Sequence, residues 1–331
     1  MIALIEQYPQ LISLGMVLIL TMALLWLIQH LLIRYGKRLL ALLARVDLWL
    51  REHLARLPIM VSLKKKYPAL FGFITKRFAR GHFSGLILTV LTLLNIYILA
   101  LFAGLVEDVV EADSIVTTDL FLSQHMSVLQ DSSVVPAFIF ITSLGSTPIT
   151  CLIILLTAIL CGVVRQPYIL IGLLISTIGS TTFTFLSKMV FQRTRPIDIL
   201  LMEHTYSFPS GHATISIALY GFLAYMAIRF SQKFIRQVRI LSLTILLCLL
   251  IGLSRIVLNE HYLSDVMGGF LVGTLWLTIA ISMMEWLTAR GKIDWRIVWS
   301  APQRYLVWFS VVAVLIATFV YANIYQFPLL G

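Results

Sequence analysis

Charge is what this chain of 331 residues most lacks: 12% of it is Asp, Glu, Lys or Arg, against about 25% in an ordinary soluble domain. So little charge cannot coat a globular surface, and the 60% hydrophobic content points instead to a chain that spans a membrane. Cysteine is nearly absent. Cys151, Cys161 and Cys248 all stand inside apolar runs, which excludes a disulfide framework and any zinc-ligand spacing. Asn-x-Ser/Thr sequons are missing, as in a chain of bacterial origin. Acids are fewer than bases, 15 against 25, for a net charge of +10. In a soluble protein that balance would suggest nucleic acid, but here the bases lie between long apolar runs, so topology accounts for them and no nucleic-acid partner is expected. Residues 1–10 hold Glu6 and no Lys or Arg, so a cleaved signal peptide is not expected at the start.

A transmembrane helix needs about 20 mainly apolar residues. Eight such runs are present, over 11–33, 83–106, 137–163, 168–190, 212–229, 239–258, 262–287 and 305–325. The third has a second possible start at Thr147-Pro148, where Thr would serve as N-cap and Pro in the first turn. The fold class expected is therefore all-α and integral to the membrane, with about eight transmembrane helices.

Between the first two spans, residues 34–82 carry twelve of the 25 basic residues, from Arg34 to Arg80. Leu39, Leu43, Val46, Leu50 and Leu57 recur there at helical spacing, with Arg38, Arg45, Glu52 and Arg56 on other faces. This pattern predicts an amphipathic helix lying on the membrane surface with Trp49 near the headgroups, or alternatively a helix packed on another domain. If 34–82 is cytoplasmic, alternation places 164–167, 230–238 and 288–304 on the same side together with the adjoining helix ends, which carry Arg229 and Arg239, and 21 of the 25 bases then lie inside. The loop after the second span is acidic, with Glu107, Asp108, Glu111, Asp113, Asp119 and Asp131 and no base. Both termini are thus expected outside. Only Lys188, Arg193, Arg195 and Arg255 remain there against the rule.

Three of those four belong to a pattern in three blocks at the outer ends of the fourth to seventh spans. The first is Lys188 with Arg195-Pro196, the second Pro209-Ser210-Gly211-His212, and the third Ser254-Arg255, His261 and Asp265. A phosphate monoester carries up to two negative charges, and Lys188, Arg195 and Arg255 supply three cations from three helix ends to hold it and its transition state. Ser210 and Gly211 open a helix after Pro209, where free N–H groups favour an anion and glycine lets it approach closely. His261 and Asp265 are spaced i, i+4 and share a face if the helix begins by residue 261; Asp265 would then orient the ring for attack on phosphorus.

Together the blocks resemble the signature of the type 2 phosphatidic acid phosphatase superfamily, which also includes bacterial acid phosphatases and vanadium haloperoxidases, and all eleven positions match. The resemblance covers about 83–287. It implies a six-helix phosphatase core, with one extra helix at each end of the chain, and hydrolysis of phosphate esters through a phosphohistidine without metal or other cofactor. It also implies which histidine does what, which the residues alone do not: His261 as nucleophile, Asp265 as its orienter, His212 as general acid. Lys188, Arg195, Ser210, Gly211 and Arg255 would bind phosphate, and Pro196, Pro209 and Ser254 would support the motif. The domain organisation expected is an N-terminal helix and basic segment over 1–82, the core over 83–287, and a loop and last helix over 288–331.

Other residues read less sharply. Ser254 suits phosphate contact and helix packing equally, and Arg193 reads equally as a surface charge or a substrate contact. Glu203 and His204 read as structural, as do Ser176, Ser180, Thr184 and Ser187 on the fourth span and Gly269 and Gly273 on the seventh. Leu200, Leu201, Met202, Tyr206 and Phe208 either line a lateral access path for lipid or plug the bundle. The function expected is a lipid phosphatase of a bacterial inner membrane with its site on the periplasmic side. Its partner would be a phospholipid or polyprenyl phosphate, undecaprenyl pyrophosphate being preferred among phosphatidate, phosphatidylglycerol phosphate and lipid A. A phosphotransferase on the same fold stays open, as does a transporter, although the latter would place charges in mid-helix, where there are almost none.

Overall fold

A computed structural model of the chain describes residues 9–77, 83–129, 132–197, 199–201, 205–297 and 299–324. Arg80, Asp131, Met202, Glu203 and His204 lie outside the described residues. The regular structure is helical, and seven helices are long and apolar enough to cross a membrane, or eight when one bent pair counts as a span.

The first span does not stop near residue 33. Helix α1 runs over Pro9–Arg56, 48 residues, or about 70 Å at 1.5 Å per residue, more than twice the roughly 30 Å of a bilayer core. The expected surface-lying amphipathic helix is therefore the direct continuation of the span. The reason is local: residues 34–56 are mostly Leu, Ala, Arg and Lys, all good helix formers, and no proline intervenes between Pro9 and Pro58. Leu39, Leu43, Trp49 and Leu50 are exposed along it, so no other domain covers that face among the described residues. Proline then sets the two breaks that follow, opening α2 (Pro58–Lys66) and α3 (Pro68–Arg77).

The acidic loop after α4 (Leu88–Val110) contains a helix that hydropathy does not reveal, α5 (Ser114–Ser127), whose first N–H is accepted by the N-cap Asp113. The third predicted span is broken into α6 (Val135–Ser143) and α7 (Thr147–Val163), bent by 42°. Ser146, not Thr147, occupies the N-cap position, with Pro148 in the first turn. After these come α8 (Ile169–Phe191), α9 (Gly211–Phe230, with one π turn at Ser216–Tyr220), α10 (Phe234–Val257), α11 (Leu263–Ala289) and α12 (Ala301–Ile324).

Helix α11 is the centre of the bundle, packed on α4, α8 and the start of α9. Two of its glycines allow the α9 contact: a Cβ on Gly269 would lie 2.6 Å from the Ser210 carbonyl oxygen, and one on Gly273 2.6 Å from that of Thr214. The small polar residues of α8 serve the same close packing, Ser176 Oγ donating to Ala218 O at 2.7 Å and Thr184 Oγ1 to Thr214 Oγ1 at 3.2 Å. Leu173, Leu219, Phe222, Ala280 and Met284 fill the core between these helices. A smaller cluster of Leu14, Leu129, Phe138, Leu200, Leu201 and Leu258 closes one end. The two helices beyond the predicted core pack onto it, α1 on α10 and α12 on α6 and α7.

Candidate active site

The three motif blocks meet at one end of the bundle. Arg195 comes from the loop after α8, Arg255 from the last turn of α10 and Lys188 from the last turn of α8, and all three side chains are buried or nearly so. Each is held by acceptors that fix its direction. Lys188 Nζ donates to the Tyr206 carbonyl and to Thr205 Oγ1. Arg195 donates to Thr205 O at 2.7 Å, Thr205 Oγ1 at 2.9 Å and Glu260 O at 2.8 Å. Arg255, wholly buried, donates to Thr142 Oγ1 at 3.0 Å.

His261 is 2% exposed and stands between these cations and Asp265. Its Nδ1 lies 3.3 Å from Asp265 Oδ2, and its Nε2 faces Arg195 NH1 at 3.3 Å. Helix α11 starts at Leu263, so His261 precedes the helix and the expected shared helical face does not exist. The contact arises from capping instead. Asp265 is the third helical residue and its carboxylate reaches back to the Tyr262 N–H at 3.0 Å, which brings it beside the ring of His261. With Nδ1–H donating to Asp265, the Nε2 lone pair is left pointing among the cations. Burial first, then Arg195, Arg255, Lys188 and His212, push the His261 pKa well below its ordinary value, so the imidazole is neutral and nucleophilic at pH 7.

The second block supplies the anion cradle. Ser210 caps α9, its N–H is taken by Asp265 O at 2.9 Å, and its buried Oγ has no hydrogen-bond partner among the described residues. Beside it, the place a Cβ of Gly211 would occupy is open space. A buried hydroxyl donor at a helix N-terminus beside an open volume is chemically suited to an anion. His212, in the first turn of α9, packs against the turn between α6 and α7, where a Cβ on Gly145 would come within 2.9 Å of its ring. Pro196 and Pro209 are buried in the loop that joins the first two blocks. Ser254 is turned away from the cradle, its Oγ donating to Ile251 O at 2.6 Å within its own helix, which is the packing role.

Several residues here carry no signal in the motif. Glu260, fully buried, places Oε2 3.7 Å from both Arg195 and Arg255 and takes the Leu201 N–H on its other oxygen. Thr142, Thr205 and Gly145 position Arg255, Arg195 and His212. Arg193 is neither a surface charge nor near the cradle: it forks between Asp265 at 2.6 Å and Asp119 of α5 at 2.8 Å. Burial opposes its charge, but the two carboxylates outweigh burial and raise its pKa. Of the described residues expected to line a lipid path, Leu200, Leu201 and Phe208 are buried, so they plug the bundle, and Tyr206 is exposed. A signal for Arg193 existed: a fourth base on the wrong side of the positive-inside pattern needed a buried acid.

The family model described as PAP2 superfamily matches residues 169–289. Phosphatidylglycerophosphatase B of Bacillus subtilis (strain 168) is 36% identical over 92 residues, covering 27% of this chain and 44% of that protein. The chain thus matches less than half the length of this curated relative. The crystal structure of a transmembrane PAP2-type phosphatidylglycerolphosphate phosphatase from Bacillus subtilis superposes with a TM-score of 0.53 at 24% identity, over 58% of this chain and 96% of that one, a likeness of fold. All eleven motif residues, from Lys188 to Asp265, fall inside the matched stretch, and it is over residues 169–289 that the chain is similar to the PAP2 superfamily.

Proposed function

We propose that the protein is a membrane phosphatase that hydrolyses the phosphate of a lipid through a phosphohistidine. The observation that carries this reading is the buried His261, its Nε2 facing Arg195 at 3.3 Å with Lys188 and Arg255 also acting on the ring and its Nδ1 held by Asp265. The cations bind the phosphoryl oxygens while Nε2 attacks phosphorus; the bond to the leaving oxygen breaks and His212 gives it a proton. Asp265 holds Nδ1–H and balances the positive charge that the ring gains. Water then attacks the phosphohistidine, His212 takes its proton, and inorganic phosphate leaves with His261 restored.

A lipid substrate is supported by two features. Seven or eight helices are long and apolar enough to cross a membrane, and a cradle at one end of such a bundle suits a headgroup phosphate. An apolar cavity of about 400 Å³ is lined by Leu144, the neighbour of Gly145, with Tyr220, Leu156 and Val311 of α12, and its character suits an alkyl chain. Alternation of basic loops favours a periplasmic site in a bacterial inner membrane. Residues 83–287 form the catalytic core on this reading, with 1–82 and 288–331 as additions that enlarge its apolar surroundings. Among lipids, undecaprenyl pyrophosphate is preferred, since that carrier has to lose phosphate on the periplasmic side before reuse; the name of the B. subtilis relative adds phosphatidylglycerol phosphate.

The test is phosphate release by the purified protein from micelles of undecaprenyl pyrophosphate, phosphatidate, phosphatidylglycerol phosphate and lipid A. Release that His261→Ala removes is expected. Absence of release from all four, by protein that is folded and monodisperse, would overturn the reading; phosphate passed to a second lipid instead of water would make it a transferase.

A further inference from the structure

Arg193 touches nothing in the cradle, yet it is one of the most constrained side chains in the molecule. Its NH1 donates to Asp265 Oδ1 at 2.6 Å and to Ser264 Oγ at 2.7 Å, while NH2 donates to Asp119 Oδ2 at 2.8 Å. The guanidinium lies over the ring of Tyr262, 4.5 Å from its centroid. Asp119, 1% exposed, also accepts the Ser264 N–H at 3.0 Å and the Ser264 hydroxyl. Thus α5, which lies outside the matched stretch, is stitched to the first turn of α11 directly behind the nucleophile.

We infer that Arg193 is a positioning residue for His261 and that Asp119 completes a relay, His261–Asp265–Arg193–Asp119, which fixes the plane of the Asp265 carboxylate and through it the aim of Nε2. The inference rests on the phosphatase reading for its kinetic consequences. Its geometry is simple. A carboxylate on a short side chain has a broad torsion about its last bond. Here one oxygen is taken by Arg193 and the other by the Tyr262 N–H, so the second oxygen can only face Nδ1 of His261. A guanidinium is suited to this because its fork spans two carboxylates at once; an ammonium is a single point. The second carboxylate matters as well. Asp119 holds the far side of the fork, so Arg193 cannot swing into the cradle and become a fourth phosphate ligand.

Among the described residues, the charged and titratable groups around the His261 ring are Lys188, Arg195, Arg255 and His212 on the cradle side and Asp265 on the other, with Glu260 adjacent in the chain and Arg193 and Asp119 behind Asp265. Deleting Arg193 removes one positive charge from this set and frees the carboxylate plane. The relay therefore predicts that Arg193→Gln lowers kcat by about 10- to 100-fold, the scale on which second partners of an oriented imidazole act, while KM changes less than about threefold. Arg193→Lys should recover part of the loss. Asp119→Asn, which keeps an acceptor for the Ser264 N–H, should cost less, and the double variant Arg193→Gln/Asp119→Asn no more than Arg193→Gln alone, because the two act through one relay.

A readout that does not depend on turnover is the titration of the His261 ring, followed by imidazole ¹³C NMR of the full-length protein in detergent, with His261→Gln for assignment. In Arg193→Gln it should move to higher pH, and in Arg193→Lys stay near the wild-type position. A raised KM with kcat intact would make Arg193 a substrate contact and overturn the inference. So would a His261 titration unmoved in Arg193→Gln, whether or not the lipids tested are substrates; a wild type that releases no phosphate yet shows the shift would sink the phosphatase reading and leave the relay standing.

Discussion

Gly145 lies in the short turn that breaks the third span, and replacing it with alanine should damage one catalytic group and little else. The new Cβ would stand 2.9 Å from Cδ2 of His212, 3.3 Å from Cγ2 of Ile251 and 3.4 Å from Cβ of His212. Carbon atoms in contact prefer about 3.5–4.0 Å, so the imidazole has to retreat by roughly 0.6 Å or more. It can do so by turning its own torsions, which keeps the cost in stability small, since no backbone atom is among these neighbours. The cost falls on geometry. A misplacement of about 1 Å is worth about 10²-fold when the displaced group acts on the reacting atoms, so a loss of about 10- to 100-fold in kcat/KM is expected for Gly145→Ala. General acid catalysis matters only when the leaving group is poor, and this makes the assay selective. A long-chain alkyl phosphate and an alkylphenyl phosphate of similar length, compared in the same micelles, separate proton donation from binding. The alkyl ester should show the full loss and the aryl ester much less, with thermal unfolding nearly unchanged. An equal loss on both esters would refute the assignment of His212 as the proton donor that Gly145 accommodates.

Four further outcomes are expected. His261→Ala should abolish turnover and phosphoenzyme formation measured with labelled lipid, Asp265→Asn should leave a residue of both, and His212→Ala should cost about 10²- to 10⁴-fold, less with a good leaving group. Because His261 is held below its ordinary pKa of 6.5, its neutral form persists as pH falls through 6.5, so the acid limb of kcat/KM should lie below that value; a limb at or above 6.5 would contradict the burial and cation cluster. The same depression means that the unfolded chain binds a proton in that window that the native protein refuses, and native stability should decline as pH drops from 6.5 toward the lowered value. Activity should withstand a chelator and be blocked by vanadate, since Glu260, Asp265 and Asp119 are each committed to arginine and the cradle suits a five-coordinate anion.

The motif was readable because its residue types are costly inside a membrane chain. Between residues 205 and 284 the only acids are Glu260 and Asp265, and four bases stand where the positive-inside pattern leaves no topological reason for them. What could not be read depends on distance in the chain or on backbone choices that hydropathy ignores. Asp119 meets Arg193 across 74 positions, and nothing around it in the acidic loop distinguishes it from its solvent-facing neighbours. Helix α1 passes residue 33 because a helix backbone is indifferent to the change from apolar to amphipathic side chains; only proline at 58 stops it. The contact between His261 and Asp265 was anticipated from helical spacing, but a capping geometry produces it, which the same two letters in the sequence encode equally well.

The partners of the cations show how their charge can be held in a buried place. Lys188 is held by a carbonyl and a hydroxyl, Arg195 by two carbonyls and a hydroxyl, and Arg255 by a hydroxyl; these neutral acceptors fix direction without cancelling charge. Glu260 Oε2 stands 3.7 Å from both arginines, beyond direct hydrogen-bond reach. On the Nε2 edge the balance of charge acting on His261 is positive, from Arg195, Arg255 and Lys188, which suits a phosphate on the proposed reading. Asp265 is kept out of this balance because Arg193 and the Tyr262 N–H occupy it from behind. Had Asp265 faced the cradle directly, it would have neutralised one phosphate ligand and lost its hold on Nδ1. The second arginine–aspartate pair thus separates two electrostatic tasks only a few ångströms apart: attraction of an anion on one edge of the imidazole, and stabilisation of a developing cation on the other.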